Sequence, residues 1–383
     1  MQDVFIGFTS VFGSPTWWQP IVMYFVGFAL IWLAIKKEYE PMLLLPIGFG
    51  AILVNLPLSI AGIPTAPGYE NGFLQILYEM GIKTELFPLL IFVAVGAMID
   101  FGPLFKNPMM IFFGAAAQFG IFATMIVATL FGFSLKEAAS IGIIGAADGP
   151  TSIFVANIFA PGLLGPISVA AYSYMSLVPL IQPPVIRLLT TKKERRIHMV
   201  FHESNAPKWL KVLFPIAVTM ISGFIAPISV PLIGSLMFGN LIRESGVLER
   251  LSQAAQNELA NIVTLLLGIT IGCSMVATNF LNYRTLLIML MGLVAFVFDT
   301  AGGVLFAKLV NLFLPKDKKI NPMIGACGIS AFPMSGRIVQ KMANDEERGN
   351  IILMHAIGSN VSGQLGSVIA GGMVLALVPL LVK

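Results

Sequence analysis

Charge is what this sequence most lacks. Only 11% of its 383 residues are charged, while 57% are hydrophobic; soluble domains run at about 25% charged. No soluble core accommodates that balance, so the chain reads as an integral membrane protein. Cysteine is nearly absent too. Cys273 and Cys327 lie in apolar or glycine-rich stretches, and they read as buried free thiols without metal-ligand spacing. The ten-residue alternation that marks a membrane barrel is missing. The N-terminus has no basic region followed by an apolar core, so no cleavable signal is expected. There is no Walker loop, no catalytic Ser/His/Asp signature and no dinucleotide fingerprint. His198, His202 and His355 show no ligand pattern. Energy must therefore come from a gradient or from chemistry on a bound partner. The net charge of +4 belongs to the loops and gives no reason to expect nucleic acid.

What is present is a succession of apolar runs near the 20 residues a spanning helix needs. The expected fold is an all-α polytopic membrane protein of about ten transmembrane helices plus two re-entrant hairpins in inverted repeats. Residues 1–19, with Phe5, Phe8, Phe12, Trp17 and Trp18, read as an interfacial segment. A first half, 20–190, holds spans near 20–35, 41–61, 86–101, 109–132 and 166–189, with a re-entrant stretch at 138–160. A basic loop, 191–208, separates it from a second half, 209–383. The second half holds spans near 209–226, 229–242, 259–280, 284–314 and 350–382, with a re-entrant stretch at 320–340. Lys/Arg-rich loops orient the bundle. With Lys36 and Lys37 inside, the basic 192–196 loop is also inside only if 138–160 returns to its own side; Lys136 and Arg284 run against the rule.

Two patterns recur in order. Val95-Gly96-Ala97-Met98 matches Ile271-Gly272-Cys273-Ser274, and Ile144-Gly145-Ala146-Ala147 matches Ile324-Gly325-Ala326-Cys327. Similar composition alone produces some likeness between Gly/Ala-rich helices. Paired broken segments in inverted repeats nevertheless mark a midplane ion or substrate site in transporters.

Asp148 is the residue this apolar chain least explains. It stands beside Gly149 and Pro150, which break helices. An acid near the bilayer centre costs about 2.5–3.5 kcal/mol on insertion scales, so a cation, an Arg or a proton has to offset it. The plainer role is a cap for the helix after Pro150. Asn321, Ser330 and Asn360 add neutral oxygens, and Gly325, Gly328, Gly358 and Gly363 free backbone carbonyls. One carboxylate among neutral oxygens suits a monovalent cation better than a divalent one; the bland role for Asn and Ser is helix–helix bonding. Arg337 either pairs with Asp148, binds an anion or snorkels. Tyr174 needs a partner for its hydroxyl and is more often structural than a proton donor. Asp299 is a second intramembrane acid, open to an ion or a proton.

Gly145-Ala146-Ala147-Asp148-Gly149-Pro150-Thr151-Ser152-Ile153-Phe154 resembles the signature of the beta subunit of the sodium-translocating, biotin-dependent decarboxylases. Asn321-Pro322-Met323-Ile324-Gly325 with Ser330-Ala331-Phe332-Pro333-Met334-Ser335-Gly336-Arg337 resembles that family's second patch. Met354-His355-Ala356-Ile357-Gly358-Ser359-Asn360-Val361-Ser362-Gly363 resembles its third. The likeness runs from about residue 15 to the end; Cys327 stands where the family pattern has a smaller residue. The resemblance implies a membrane subunit that decarboxylates carboxybiotin, consumes an external proton and exports Na⁺. It implies that Asp148, Asn321, Gly325, Ser330 and Asn360 hold Na⁺, that Asp148, Tyr174, Ser330 and Arg337 are catalytic, and that Arg337 meets the carboxybiotin. It further implies a carboxyltransferase alpha subunit, a biotin-carrier subunit, a small membrane subunit, a homo-oligomer within a larger complex, and a bacterial or archaeal inner membrane. The rival is a Na⁺-coupled carboxylate symporter with the same broken-helix architecture.

Overall fold

The computed structural model describes residues 16–38, 41–56, 72–199, 206–315, 318–331 and 334–382. Among them there is no strand. Lipid offers the backbone no hydrogen bonds, so an open chain must satisfy its own, and helices do so within each segment.

The first half comprises α1 (Trp18–Lys37), α2 (Pro41–Val54), α3 (Leu86–Met98), α4 (Met110–Ala117), α5 (Phe119–Leu130), α6 (Leu135–Gly142), α7 (Gly149–Phe159), α8 (Leu164–Ser176) and α9 (Val178–Leu189). The second half comprises α10 (Lys208–Ile225), α11 (Val230–Ser245), α12 (Ala260–Cys273), α13 (Tyr283–Phe313), α14 (Met334–Glu346) and α15 (Leu353–Leu381). Six stretches are long and apolar enough to cross a membrane: α1, α4 with α5, α10, the segment Glu249–Cys273, α13 and α15. Two bent pairs raise this to eight: Phe73–Lys83 with α3, at 59°, and α8 with α9, at 66°. Helix α2 has 14 residues and α7 has 11; at 1.5 Å per residue they rise only about 20 Å and 16 Å, short of a ~30 Å hydrocarbon core. Of the expected interfacial segment, Phe5, Phe8 and Phe12 lie outside the described residues, and Trp17 and Trp18 are exposed.

The halves exchange helices. Helix α2 packs on α12, and α11 packs on α3. Both contacts are closed by glycines, which let backbones approach where apolar bulk gives no advantage over lipid. A Cβ on Gly96 would lie 1.9 Å from the Leu236 carbonyl oxygen, and one on Gly239 the same distance from that of Val93. At the other contact, a Cβ on Gly272 would lie 2.2 Å from the Ile47 oxygen, and one on Gly50 2.4 Å from that of Ile269. Gly96 and Gly272 stand at corresponding places in the two matched tetrapeptides, 95–98 and 271–274.

Each matched span then stops, and an asparagine from the helix packed on it satisfies the broken end. Asn240 donates to the Ile99 carbonyl at 2.8 Å. Asn55 donates to the Met275 carbonyl at 2.9 Å and accepts from the Ala277 amide at 2.8 Å. The second pair of matched stretches also agrees: Ile143–Ala146 and Pro322–Gly328 are both tight 3-10 turns.

The 191–208 loop is not a free linker over its described part. Arg195 is buried, pairs with Glu346 at 2.7 Å and donates to the Thr190 carbonyl at 2.6 Å. Thr191 and Glu194 form a capping box, and Glu194 reaches Lys308 at 3.2 Å. Burial works against the Glu194 charge, but hydrogen bonds from Thr191 and the Lys308 ammonium hold its carboxyl below the ordinary carboxylate range.

Candidate cation site

The first broken stretch starts at a capped helix. Ser134 and Glu137 cap α6 reciprocally. After the turn Ile143–Ala146, Ala147 adopts a left-handed backbone, φ 55°, which is strained for a residue with a Cβ. Asp148 is extended, and Pro150 in the first turn suits the start of α7. The helical backbone is therefore interrupted at Asp148, whose side chain is buried, 5% exposed.

Asp148 does cap α7. Its Oδ1 accepts from the Thr151 amide at 3.3 Å, and Oδ2 accepts from the Thr151 hydroxyl at 2.6 Å. The cap is only part of its role, because Ser367 of α15 donates to the same Oδ2 at 3.0 Å. Ser367 lies 2.8 Å from the Ser330 hydroxyl. With the Ser367 proton on Asp148, Ser330 donates, and a chain Ser330–Ser367–Asp148 joins both broken stretches to α15, which runs unbroken through Gly358 and Gly363, so those glycines free no carbonyls, contrary to expectation. The backbone joins the two stretches directly: the Ser330 amide donates to the Ala146 carbonyl at 3.1 Å. The Ser330 carbonyl in turn accepts from Gln364.

A cavity of about 240 Å³ opens beside this chain, lined among others by Asp148, Tyr172, Ser330, Gln364, Asn261 and Thr264. Tyr172 closes one side. It is buried, and its hydroxyl has no partner among the described residues. A Cβ on Gly149 would lie 2.2 Å from its ring, so the ring needs that glycine.

Asn360, also on α15, holds the backbone that leads into Ser330. Its amide donates to the carbonyls of Ile329 at 2.6 Å and Cys327 at 3.2 Å, which leaves its Oδ1 without a partner. Gln182 of α9 holds the Ala326 carbonyl at 2.8 Å and accepts from Ser335 at 2.9 Å, so the second stretch is anchored from behind.

The other expected residues sit elsewhere. Asn321 caps the turn Pro322–Gly328, and its amide donates to the carbonyls of Arg195 at 2.9 Å and Ile197 at 3.0 Å. Its side chain is thus committed to the basic loop and is not brought to Asp148. Gly325 packs on α13, where its Cβ would lie 2.1 Å from the Gly303 oxygen. Tyr174 donates to the Met289 carbonyl and packs its ring near Phe296. Arg337, on α14, is exposed and joins none of the ion pairs found among the described residues. Both cysteines are buried and free, as expected. Phe332 and Pro333 of the second patch lie outside the described residues.

Ser367 and Tyr172 are the residues that sequence reasoning missed. Ser367 had a signal, since 360, 364 and 367 fall on one helix face at spacings of four and three. Tyr172 stands two residues before Tyr174, and residues two apart on a helix point to different sides. Only one of the two tyrosines reaches the cavity.

This sequence is similar to known proteins along most of its length. The model of the Na⁺-transporting oxaloacetate decarboxylase beta subunit matches residues 19–378. The chain is 50% identical over 361 residues to glutaconyl-CoA decarboxylase subunit beta of Acidaminococcus fermentans, covering 94% of each chain. It is 49% identical over 356 residues to methylmalonyl-CoA decarboxylase subunit beta of Veillonella parvula, covering 93% of this chain and 92% of the relative. It is 45% identical over 409 aligned residues to the oxaloacetate decarboxylase beta chain of Klebsiella pneumoniae, covering 92% and 94%.

Proposed function

Since the chain belongs to the family of Na⁺-transporting oxaloacetate decarboxylase beta subunits, we propose that it is the membrane subunit of a biotin-dependent decarboxylase. In this reading it decarboxylates carboxybiotin, consumes an external proton and exports Na⁺. The observation that carries the reading is the buried Asp148 beside a cavity, joined to the second broken stretch through Ser367 and Ser330.

Na⁺ is the cargo. Asp148 supplies the charge, and Ser330 and Asn360 supply neutral oxygens, the unpartnered Oδ1 of Asn360 among them. Asn321 and Gly325 act one step back, by shaping the turn that carries Ser330 to Asp148. The unpartnered Tyr172 hydroxyl fits a polar guest in the cavity. Carboxybiotin, brought by a partner subunit, supplies the bond whose cleavage releases free energy. This chain's part is to bind its headgroup, with Tyr172 and Gln364 as donors from the cavity wall. Arg337, exposed on α14, meets the carboxylated carrier as it arrives, and Tyr174 steadies α13 through the Met289 carbonyl.

The finer architecture belongs to the same reading. It has about ten spans, with 138–160 and 320–340 as re-entrant hairpins, and the halves 20–190 and 209–383 are inverted repeats about the 191–208 loop. The short rise of α2 and α7 and the glycine-matched exchange of helices support it. The partners are a carboxyltransferase alpha subunit, a biotin carrier and a small membrane subunit, within a homo-oligomer in a bacterial or archaeal inner membrane. The relatives named above differ in acyl substrate at nearly equal identity, so that specificity lies on another polypeptide.

The test uses the whole complex reconstituted in vesicles. Asp148→Asn should abolish Na⁺-stimulated decarboxylation and Na⁺ uptake together; an unchanged variant would overturn the assignment. Na⁺ movement by the purified chain with a dicarboxylate, and indifference to carboxybiotin, would favour the symporter instead.

A further inference from the structure

Asp299 lies in the middle of α13, with no exposed surface. Neither carboxylate oxygen has a hydrogen-bond partner among the described residues. Two glycines close on it. A Cβ at Gly120 would lie 2.3 Å from Oδ1, and one at Gly145 would lie 2.2 Å from Oδ2. Gly120 is in the first turn of α5, just past the interruption at Gln118. The amides of Gly120 and Ile121 face the carboxylate but complete no aligned hydrogen bond with it. Gly145 lies in the turn that leads into Asp148.

Apart from those two amides nothing offsets the charge, so the ionised carboxylate carries a large desolvation cost, and among the described residues no Lys, Arg or His forms an ion pair with it. A bound metal cation would need a shell of several oxygens around the acid. Glycine backbone presses on both carboxylate oxygens and leaves no room for such a shell. A proton needs none. From the elements packed against α13, the titratable side chains are Lys136 and Glu137 at the start of α6, Tyr172 and Tyr174 on α8, Arg187 on α9 and Cys327 in the second turn. Asp148 follows the Gly145 turn. None of them bonds Asp299.

We propose that Asp299 is an intramembrane proton-binding site, distinct from the site at Asp148 and packed against the turn that carries it. Gly120 and Gly145 exclude water and ions from the acid, so that only a proton neutralises it. A proton arriving or leaving there changes the charge beside the Gly145–Asp148 segment. The acid in turn explains the two glycines, since any side chain at either position would collide with it.

The test is infrared spectroscopy of the purified full-length chain in lipid nanodiscs at neutral pH. A protonated carboxylic-acid carbonyl band is expected in the wild type and in Asp148→Asn, and its loss is expected in Asp299→Asn. A wild-type spectrum without the band, or a band that survives Asp299→Asn, overturns the proposal. Asp299→Glu provides the second arm should the amide variant fail to fold: it keeps a proton-bearing acid and should shift the band without deleting it, and an unshifted band there also overturns the assignment. Because the readout is a protonation state, it stands or falls apart from Na⁺ transport at Asp148.

Discussion

The amide of Ser330 donates to the carbonyl of Ala146 across 3.1 Å, so the two interrupted stretches of this chain are joined through their main chain. Side chains then complete the link: Ser330 to Ser367, and Ser367 to Asp148. Helix α15, continuous through the third patch, thereby bridges the other two.

Ser367→Ala should loosen the site without removing its charge. A hydrogen bond to a charged group contributes about 1.5–3 kcal/mol, so the Na⁺ concentration for half-maximal decarboxylation should rise by about tenfold or more. Turnover at saturating Na⁺ should change less. The check is Na⁺ titration of the reconstituted complex; an unchanged midpoint would remove Ser367 from the site.

The two tyrosines of α8 should separate by phenotype. Tyr174→Phe loses the bond to the Met289 carbonyl, which costs about 1 kcal/mol, so melting temperature and turnover fall together. Tyr172→Phe removes a hydroxyl that bonds nothing among the described residues. Its melting temperature should hold or rise slightly while turnover drops. Thermal denaturation beside decarboxylation rates decides between them, and equal destabilisation of both would argue against a ligand-facing Tyr172.

Gly149→Ala places a methyl 2.2 Å from the Tyr172 ring. Overpacking of this kind costs about 1–3 kcal/mol. The double variant Gly149→Ala, Tyr172→Leu should recover much of the lost stability and none of the activity. A fluorescence-detected melting series of the two singles and the double measures the coupling.

The tie between the basic loop and α13 should depend on pH. The Glu194 carboxyl titrates below its ordinary value in the folded chain, chiefly because hydrogen bonds from Thr191 and the Lys308 ammonium outweigh its burial. Its stabilising effect is therefore full above the unfolded carboxylate range and is lost as pH falls through the lowered folded value. Glu194→Gln should be less stable than wild type at neutral pH, and the gap should close in acid. A gap that is constant with pH would mean that the charge is not what holds the loop.

How much of this was legible in the sequence follows from what each signal depends on. Asp148 stood out because an acid is costly in apolar surroundings, and its neighbours Gly149 and Pro150 announced the break. The matched tetrapeptides at 95–98 and 271–274 marked two places where backbones meet closely, since such contacts demand glycine and Gly96 and Gly272 both supply one. Asn321 was misplaced for a definite reason: its amide is taken by the carbonyls of Arg195 and Ile197, 120-odd residues away in the chain. Composition reveals that an asparagine is polar, not which buried carbonyl needs it. The count of spans blurred similarly, because α8 with α9 bends at 66° while its apolar run continues through the bend.

The exchange of α2 onto α12 and of α11 onto α3 bears on how the protein is made. A ribosome inserts the first half before α11 and α12 exist, so α2 and α3 enter the bilayer with their glycine faces uncovered. Gly48 of α2 closes on Gly27 of α1 within the first half, but the Gly50 face of α2 and the Gly96 face of α3 meet their partners only in the second half. Quality control of the nascent chain therefore has to tolerate a half-built bundle until α12 emerges, and a message truncated after the basic loop yields a fragment fit only for degradation.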